Sequence, residues 1–228
     1  MPSTVLRLCC AFFSPRKGTG FLSHLETTRI YHGKTMPYKD LPFPALSVLH
    51  TSRYLFNKYG FQNVGVDRII ESAKIPKGSF YNYFHSKERL IEMSLTFQKD
   101  GLKHEVISII YVQKELTLVE KLRKIYFLHA DLEGLYHLPF KAIFEIEKLY
   151  PKAYQVVVEY RNWLINEIYR LLLITNPETT KEDAYMFLFV VDGAMVQLLS
   201  ENSVDDRDVL LEYFLGRGNN KIVYGEYT

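Results

Sequence analysis

Apolar residues recur every three to four positions along most of the chain from Ala45 onward. In the first such segment, Leu46, Leu49 and Phe56 mark one face, and Gly60 provides a stop signal. Segments with the same period follow over residues 66–73, 77–84, 87–111, 117–134, 139–150, 151–174, 179–199 and 205–215. The pattern predicts an all-α fold of about nine helices and indicates no strand.

Residues 1–36 lack this period and mix prolines and glycines with short apolar runs. The run Val5–Phe13 has no basic segment before it and no small-residue cleavage site after it, so we do not interpret it as a signal peptide. We predict a flexible extension, with Met36 as an alternative start. Cys9 and Cys10 are the two cysteines of the sequence, too few for a disulfide framework. They indicate a reducing cytoplasm and no structural role.

Two short segments and a long one form a helix-turn-helix pattern near the start of the periodic region. Residues 66–73 and 77–84 are separated by a short turn that contains Pro76, which a helix tolerates in its first turn. Phe80 and Phe84 lie four residues apart and are predicted to point inward together. The remaining side chains are then available to a DNA groove: Lys77, Ser79, Tyr81, Asn82 and Tyr83.

The formal charge changes sign along the chain. Residues 1–36 contain five Lys and Arg against one Glu, and residues 37–100 contain nine against six acidic residues. Residues 101–228 contain fourteen against nineteen. A basic front half is typical of contact with a polyanion, but an ordinary solvated surface has the same composition.

The stretch Ile75-Pro76-Lys77-Gly78-Ser79-Phe80-Tyr81-Asn82-Tyr83-Phe84-His85-Ser86-Lys87-Glu88, preceded by Leu55-Phe56 and Gly60-Phe61, resembles the tetracycline-repressor (TetR) family of bacterial regulators. The resemblance covers residues 45–91. It implies a homodimer that binds a double-stranded DNA operator through the second helix of the motif. At matching positions it implies base reading by Lys77 and Asn82. It also implies contact with the DNA backbone, or close approach to it, at these positions: Arg68, Gly78, Ser79, Tyr81, Tyr83 and Lys87.

The sequence departs from the family pattern at several positions around the motif. Val64 and Gly65 stand where hydroxyl residues are usual, and Lys74 stands where the turn often has glycine. Asp67 replaces a residue that often reads bases. Asp67 either accepts from a cytosine amine or caps its helix, and we favour capping.

The resemblance also implies a small-molecule site between the middle helices. Aromatic and polar residues there suit a small hydrophobic or amphipathic effector: Phe97, His104, Tyr126, His129, Phe140, Phe144, Tyr160 and Trp163. The same residues at helical spacing also suit an ordinary core. Some relatives with a similar motif sense electrophiles through a cysteine, which residues 91–228 lack. The sequence indicates no metal site and no cofactor.

Residues 184–199 are apolar nearly all round, so the helix they form must be buried on every side. One face is expected to meet its own domain and another a second copy of the chain. The predicted interface residues are Phe187, Val191, Ala194, Met195, Leu198 and Leu211. Asp192 interrupts the apolar run, and we expect a neighbouring helix or the partner to provide its polar contact.

We therefore predict a DNA-binding domain over residues 37–90 and a ligand-binding and dimerisation domain over 91–228. The function predicted is a ligand-responsive transcription regulator, and specifically a repressor that a small molecule releases. An architectural or constitutive DNA-binding protein is the alternative. No nucleophile elbow, phosphate loop or paired-carboxylate site indicates an enzyme. No apolar run approaches the length of a membrane span.

Overall fold

The structure is a computed structural model that describes residues 28–31, 34–37, 41–200 and 207–222. The described part contains two short strands and nine α-helices. The helices are α1 (Phe43–Tyr59), α2 (Val66–Ala73), α3 (Lys77–Phe84), α4 (Lys87–Ile107), α5 (Leu118–His129), α6 (His137–Glu145), α7 (Pro151–Leu173), α8 (Lys181–Leu199) and α9 (Arg207–Ile222). The all-α fold predicted from the periodicity is confirmed.

A two-stranded antiparallel hairpin is an element that the sequence analysis did not predict. β1 (Thr28–Tyr31) pairs with β2 (Lys34–Pro37), with Thr28 opposite Pro37. The rest of the predicted extension, including both cysteines, lies outside the described residues, so its flexibility stays a prediction.

The first three helices form a small unit, here called the head, which comprises residues 41–86. Ile69 of α2 and Phe80 and Phe84 of α3 are fully buried against the apolar face of α1. Phe56 at the end of α1 stacks on Phe61, with ring centroids 5.0 Å apart. The periodicity predicted this burial correctly.

α4 connects the head to the remaining helices, here called the body (residues 87–222). The helix begins after Ser86, whose side-chain oxygen accepts the backbone N–H of Arg89. It runs for 21 residues and continues as one π-helical turn, Ser108–Val112. The predicted helix over 87–111 therefore contains a change of hydrogen-bond register near its end.

The body is a helical bundle with α7 and α8 at its centre. Its core combines apolar residues of α4, α5, α7 and α8 with Leu211 of α9. Most predicted helix boundaries lie within one or two residues of the observed ones. α5 ends at His129 rather than near Gly134, and α9 continues to Ile222, past the two glycines that were expected to end it. Glycine lowers helix propensity without forbidding a helix.

The chain divides between Asp40 and Leu41 into two units, and head and body both lie in the second. The domain boundary at residue 90 stays a prediction. Within the described ranges, no helix combines the length and apolar content needed to cross a bilayer. The cytoplasmic location also stays a prediction.

Candidate nucleic-acid interface and polar core

The turn between α2 and α3 is built around a left-handed residue and a proline. Lys74 caps α2 with φ 53° and ψ 46°, a conformation more often taken by glycine. Pro76 precedes α3 with an extended backbone, and its carbonyl accepts the N–H of Phe80. This geometry starts α3 directly after the turn, with its first residue, Lys77, at the protein surface.

α3 has a buried side and a solvent side. Phe80 and Phe84 anchor the helix in the head, and each ring packs against a neighbouring tyrosine ring, Tyr81 and Tyr83 respectively. The predicted DNA-contacting residues lie outside this core. Lys77, Gly78, Tyr81 and Asn82 are exposed, and Ser79 and Tyr83 are half-buried.

Asp67 contacts the residue that the sequence predicted to read bases. Its Oδ1 lies 2.9 Å from Nζ of Lys77, and both side chains are exposed, by 84% and 63%. The hydrogen bond with Asp67 raises the pKa of Lys77, which keeps the amine charged. α2 has no side-chain cap, and Gly65 occupies the cap position. The capping interpretation of Asp67 is therefore wrong, although its charge still lies in the first turn of α2.

Arg68 stacks on the end of α1. Its guanidinium carbon lies 3.8 Å from the centroid of the Tyr59 ring, and Nζ of Lys58 lies 5.3 Å from the same centroid. Cation–π contacts of this kind hold a charged group in place while its polar edge stays exposed. Arg68 is thus an oriented cation beside α2.

Lys87, predicted as a phosphate contact, is half-buried at the start of α4. Its Nζ donates to the Gln62 carbonyl at 3.4 Å and lies 5.9 Å from the Tyr150 ring centroid. Burial lowers the pKa of Lys87. Lys87 therefore also bridges the head and the body.

Two side chains of α6 contact the end of α1. The backbone N–H of Phe61 donates to Oε2 of Glu145 at 2.7 Å, and Nζ of Lys141 donates to the Asn57 carbonyl at 2.8 Å and to Phe56 at 3.4 Å. The sequence analysis did not identify this contact. The residues are about 84 positions apart and carry no shared motif.

The predicted effector residues fall into two groups. Tyr126, His129, Phe140 and Tyr160 are buried in the body, and Phe97 and Trp163 are half-buried. His104 is exposed, and Phe144 is 71% exposed at the surface of α6, so neither contributes to the buried group. A role of these two residues in effector binding stays a prediction.

His129 is the polar centre of the buried group. Its Nδ1 lies 2.7 Å from the Ile125 carbonyl, and its Nε2 lies 2.6 Å from the Tyr160 hydroxyl. Because a carbonyl only accepts, Nδ1 carries the proton and Nε2 accepts from Tyr160. Burial lowers the pKa of His129 from 6.5 to about 4, so the ring is neutral at pH 7.

A charged pair between α7 and α8 completes the polar core. Arg161 donates two hydrogen bonds to Asp192, at 2.8 and 2.6 Å, and a further one to the Tyr136 hydroxyl. The Tyr136 ring packs edge-on against His129, with centroids 4.9 Å apart. The expectation that a neighbouring helix contacts Asp192 is confirmed. Arg161 itself was missed, although the isolated Asp192 pointed to a basic partner.

Burial of His129 predicts an acid-sensitive body. The unfolded chain binds a proton near pH 6.5, whereas the folded chain binds it only near pH 4. Stability is thus fully present above pH 6.5 and falls as the pH drops, by about 2 kcal/mol at pH 5. Urea unfolding at pH 7 and pH 5 measures this loss. His129→Gln is expected to reduce the pH dependence, whereas the exposed control His104→Gln retains it. Equal pH dependence in both variants contradicts the assignment.

Most of the predicted dimer-interface residues lie in the core of the single chain. Phe187, Val191, Ala194 and Met195, with Leu211 of α9, are fully buried inside the chain itself, and Leu198 is half-buried. A different row on α8 is exposed: Met186, Phe189, Gly193 and Val196. Val209 and Tyr213 on α9 are also exposed apolar residues. These six exposed residues are here called the α8–α9 face.

The geometry defines an all-α protein that presents a helix-turn-helix. The family model described as "Bacterial regulatory proteins, tetR family" matches residues 48–93, which include α2 and α3. The fold is similar to that of reduced NemR from Escherichia coli, with a TM-score of 0.65 and 18% identity over 75% of this chain and 94% of NemR. SCO4454, a TetR-family transcriptional regulator from Streptomyces coelicolor, gives a TM-score of 0.66 at 20% identity over 81% of this chain and 90% of its own. Residues 48–93 of the chain thus match the tetR family, and the fold is similar to that of solved regulators of that family.

Sequence similarity to the curated relatives covers short stretches of the chain. The transcriptional repressor NemR of E. coli K12 is 44% identical over 41 residues, which cover 18% of this chain and 21% of NemR. The transcriptional regulator AcuR of Cereibacter sphaeroides is 57% identical over 28 residues, which cover 12% of this chain and 13% of AcuR. The chain thus matches only about a fifth of the length of NemR and less of AcuR.

Proposed function

We propose that this protein is a homodimeric, DNA-binding transcription regulator that represses from an operator and is released by a small molecule. The observation that carries the proposal is the two-sided character of α3. Its phenylalanines bury fully in the head, while Lys77, Tyr81 and Asn82 point to solvent. A recognition helix needs this division, because one side must hold the helix and the other must enter the major groove.

Base reading is assigned to Lys77 and Asn82. Lys77 lies in the first turn of α3, where side chains reach base edges most easily, and a lysine there suits the guanine O6 and N7 atoms. Gly78 follows it, and a Cβ built there meets no atom within 4 Å, so packing of the free chain does not require glycine. Close approach of the DNA backbone would require it.

Phosphate contacts are assigned to residues that flank α3. Ser79, Tyr81 and Tyr83 lie on α3, Arg68 is oriented by Tyr59, and Lys87 lies at the start of α4. Phosphate contacts fix the position of a protein on the duplex without reading its sequence. In the free chain the amine of Lys87 donates to the Gln62 carbonyl, so a bound phosphate would compete with that carbonyl for the amine.

The α8–α9 face is proposed as the dimer interface, in place of the residues predicted from sequence. Phe189 and Val196 are seven positions apart and therefore lie on one side of α8, with Gly193 between them. A Cβ at Gly193 meets no atom of its own chain within 4 Å, so this position is open to a second helix. Two copies of α8 and α9 would then form a four-helix interface.

The effector is proposed to bind near the buried aromatic group around His129 and Tyr160. These side chains supply an apolar site with a few polar groups, the mixture that small-molecule sites use. α4 joins this region to the head, so displacement of α4 would change the separation of the two α3 helices. Dimeric helix-turn-helix proteins need that separation near 34–36 Å.

The test of the function is a comparison of two head variants. Lys77→Ala is expected to cost about 1–3 kcal/mol in binding and to relax preference at one operator position. Tyr83→Phe is expected to weaken binding evenly by about 0.5–1.5 kcal/mol, because it removes one neutral hydrogen bond. The measurement is binding of each variant to a selected operator and its single-base variants.

Lys152→Ala is the matched control, since Lys152 is an exposed lysine on α7. It should bind every operator variant like the unmodified protein. Even weakening by Lys77→Ala would reassign Lys77 to phosphate, and the absence of any selected DNA sequence would refute the proposed function.

A constitutive DNA-binding protein without an effector is the second candidate. It is favoured by the packing of the body, where Tyr126, His129 and Tyr160 are buried and His129 and Tyr160 are hydrogen-bonded to each other. The two functions differ in one measurement. Only a ligand-responsive regulator has a small molecule that lowers its affinity for the operator.

A further inference from the structure

The head contacts the body at several places. The chain passes through Ser86 into α4, and Ser52 of α1 is hydrogen-bonded to Ser94 of α4. A further contact joins α6 to the end of α1; it is here called the clamp and consists of Lys141 and Glu145. Because the clamp holds the head on a second helix of the body, in addition to α4, it helps to fix the angle of the head.

The clamp matches the chemistry of a helix C-terminus. The last carbonyls of α1 lack partners within the helix and carry partial negative charge. The ammonium of Lys141 lies 2.8 Å from the carbonyl of Asn57 and supplies the positive charge. One residue beyond the cap, the N–H of Phe61 needs an acceptor, and Glu145 supplies it at 2.7 Å. Hydrogen bonds with one charged partner are stronger than neutral ones.

Gly60, which caps the end of α1, allows Glu145 to approach the turn closely. It has φ +82°, a conformation that favours glycine, and a Cβ built there would lie 2.9 Å from Oε2 of Glu145. The backbone conformation and the position of the carboxylate thus both require a residue without a side chain. The turn and the clamp fit each other closely.

The clamp borders a surface cleft of about 360 Å³. Its lining consists of Lys58, Tyr59, Gly60, Gln62, Asn63, Lys141 and Glu145. Since apolar packing does not fill this cleft, the polar contacts of Lys141 and Glu145 hold the end of α1 on this side of the head.

We infer that Lys141 and Glu145 are positioning residues that set the angle of the head on the body, and thereby the operator half-site spacing that a dimer accepts. The inference rests on the proposed function for its DNA consequence only. Glu145 holds the residue after Gly60, and the chain leads from there through α2 to α3. A change at the clamp therefore reaches the recognition helix through one turn and one short helix.

The first measurement follows the angle without DNA. Spin labels are placed at Glu71→Cys on α2 and Gln155→Cys on α7, both exposed, after replacement of Cys9 and Cys10 by serine. Dilution with unlabelled protein isolates distances within one chain. Glu145→Ala and the milder Lys141→Met are expected to broaden the distance distribution. The matched controls Glu147→Ala and Lys148→Met change the same charges at exposed positions nearby and should leave the distribution unchanged.

The second measurement uses DNA selected by the unmodified protein. Two operators are compared, one with the preferred half-site spacing and one with a spacing that is one base pair longer. The ratio of the affinities for these two operators is expected to fall about tenfold in the clamp variants, the equivalent of one charge-assisted hydrogen bond. An unchanged distance distribution, or a spacing preference equal to that of the controls, would overturn the inference. If the unmodified protein selects no DNA, the proposed function fails while the distances still decide the role of the clamp.

Discussion

Lysine at both Phe189 and Val196 is expected to convert the proposed dimer into folded monomers that lose operator affinity about a hundredfold or more. The two side chains are 58% and 54% exposed in the single chain, so the substitutions leave its core intact. In a dimer they would place four ammonium groups in an apolar interface, where unpaired charge is costly. Sedimentation and operator binding measure the two effects.

Ile174→Lys with Val112→Lys is the matched control, because both residues are exposed apolar positions outside the α8–α9 face. This control should remain a dimer. By contrast, Met195→Lys introduces the charge into the chain's own core and should unfold the protein rather than dissociate it. A Phe189 and Val196 variant that sediments as an intact dimer would exclude the α8–α9 face as the interface.

Removal of Asp192 is expected to destabilise the body by about 3 kcal/mol, because Arg161 would keep its charge without its partner. The two side chains are only 20% and 22% exposed, so water replaces the lost contact poorly. For a chain of this size the melting temperature should fall by roughly 6–12 °C in Asp192→Ala. Thermal unfolding of this variant measures the loss.

Breaking an exposed pair provides the control for this loss. Arg123 and Glu212 also join two helices, but they are 40% and 56% exposed, so Glu212→Ala should cost less than about 1 kcal/mol. Arg161→Met combined with Asp192→Leu should recover much of the stability, because it removes both charges together. Equal losses in Asp192→Ala and Glu212→Ala would show that burial does not strengthen the Arg161 pair.

The helices and the head could be predicted from sequence because their signals are local. Glycine at the end of α1, Pro76 before α3 and the four-residue spacing of Phe80 and Phe84 each act within a few residues. Such signals set element boundaries and the buried side of a short helix. The resemblance to a known family depended on the same stretch.

The side of α8 that faces outward could not be predicted for a physical reason. An amphipathic helix marks its solvent side with polar residues, but α8 is apolar nearly all round. Met186 and Phe187 are adjacent and chemically similar, yet one is exposed and the other fully buried. Only the packing of α7 and α9 distinguishes them.

Long-range polar contacts were equally inaccessible. Glu145 could be expected to meet solvent or a cationic ligand, whereas it binds a backbone N–H about 84 positions away. Charged residues are frequent on helix surfaces, so their spacing alone does not reveal such partners. Asp192 was the exception, since a carboxylate inside an apolar run demands a counter-charge.

The ion pair between Asp67 of α2 and Lys77 gives α3, the proposed recognition helix, a counter-ion within the protein. Mobile cations condensed on DNA are released when protein cations replace them, and the slope of affinity against salt concentration counts those replacements. Under the proposed function, Lys77 would approach the duplex together with a carboxylate, so its net contribution to that count would be close to zero. We therefore expect the salt slope to report fewer phosphate contacts than the number of basic residues proposed for the interface.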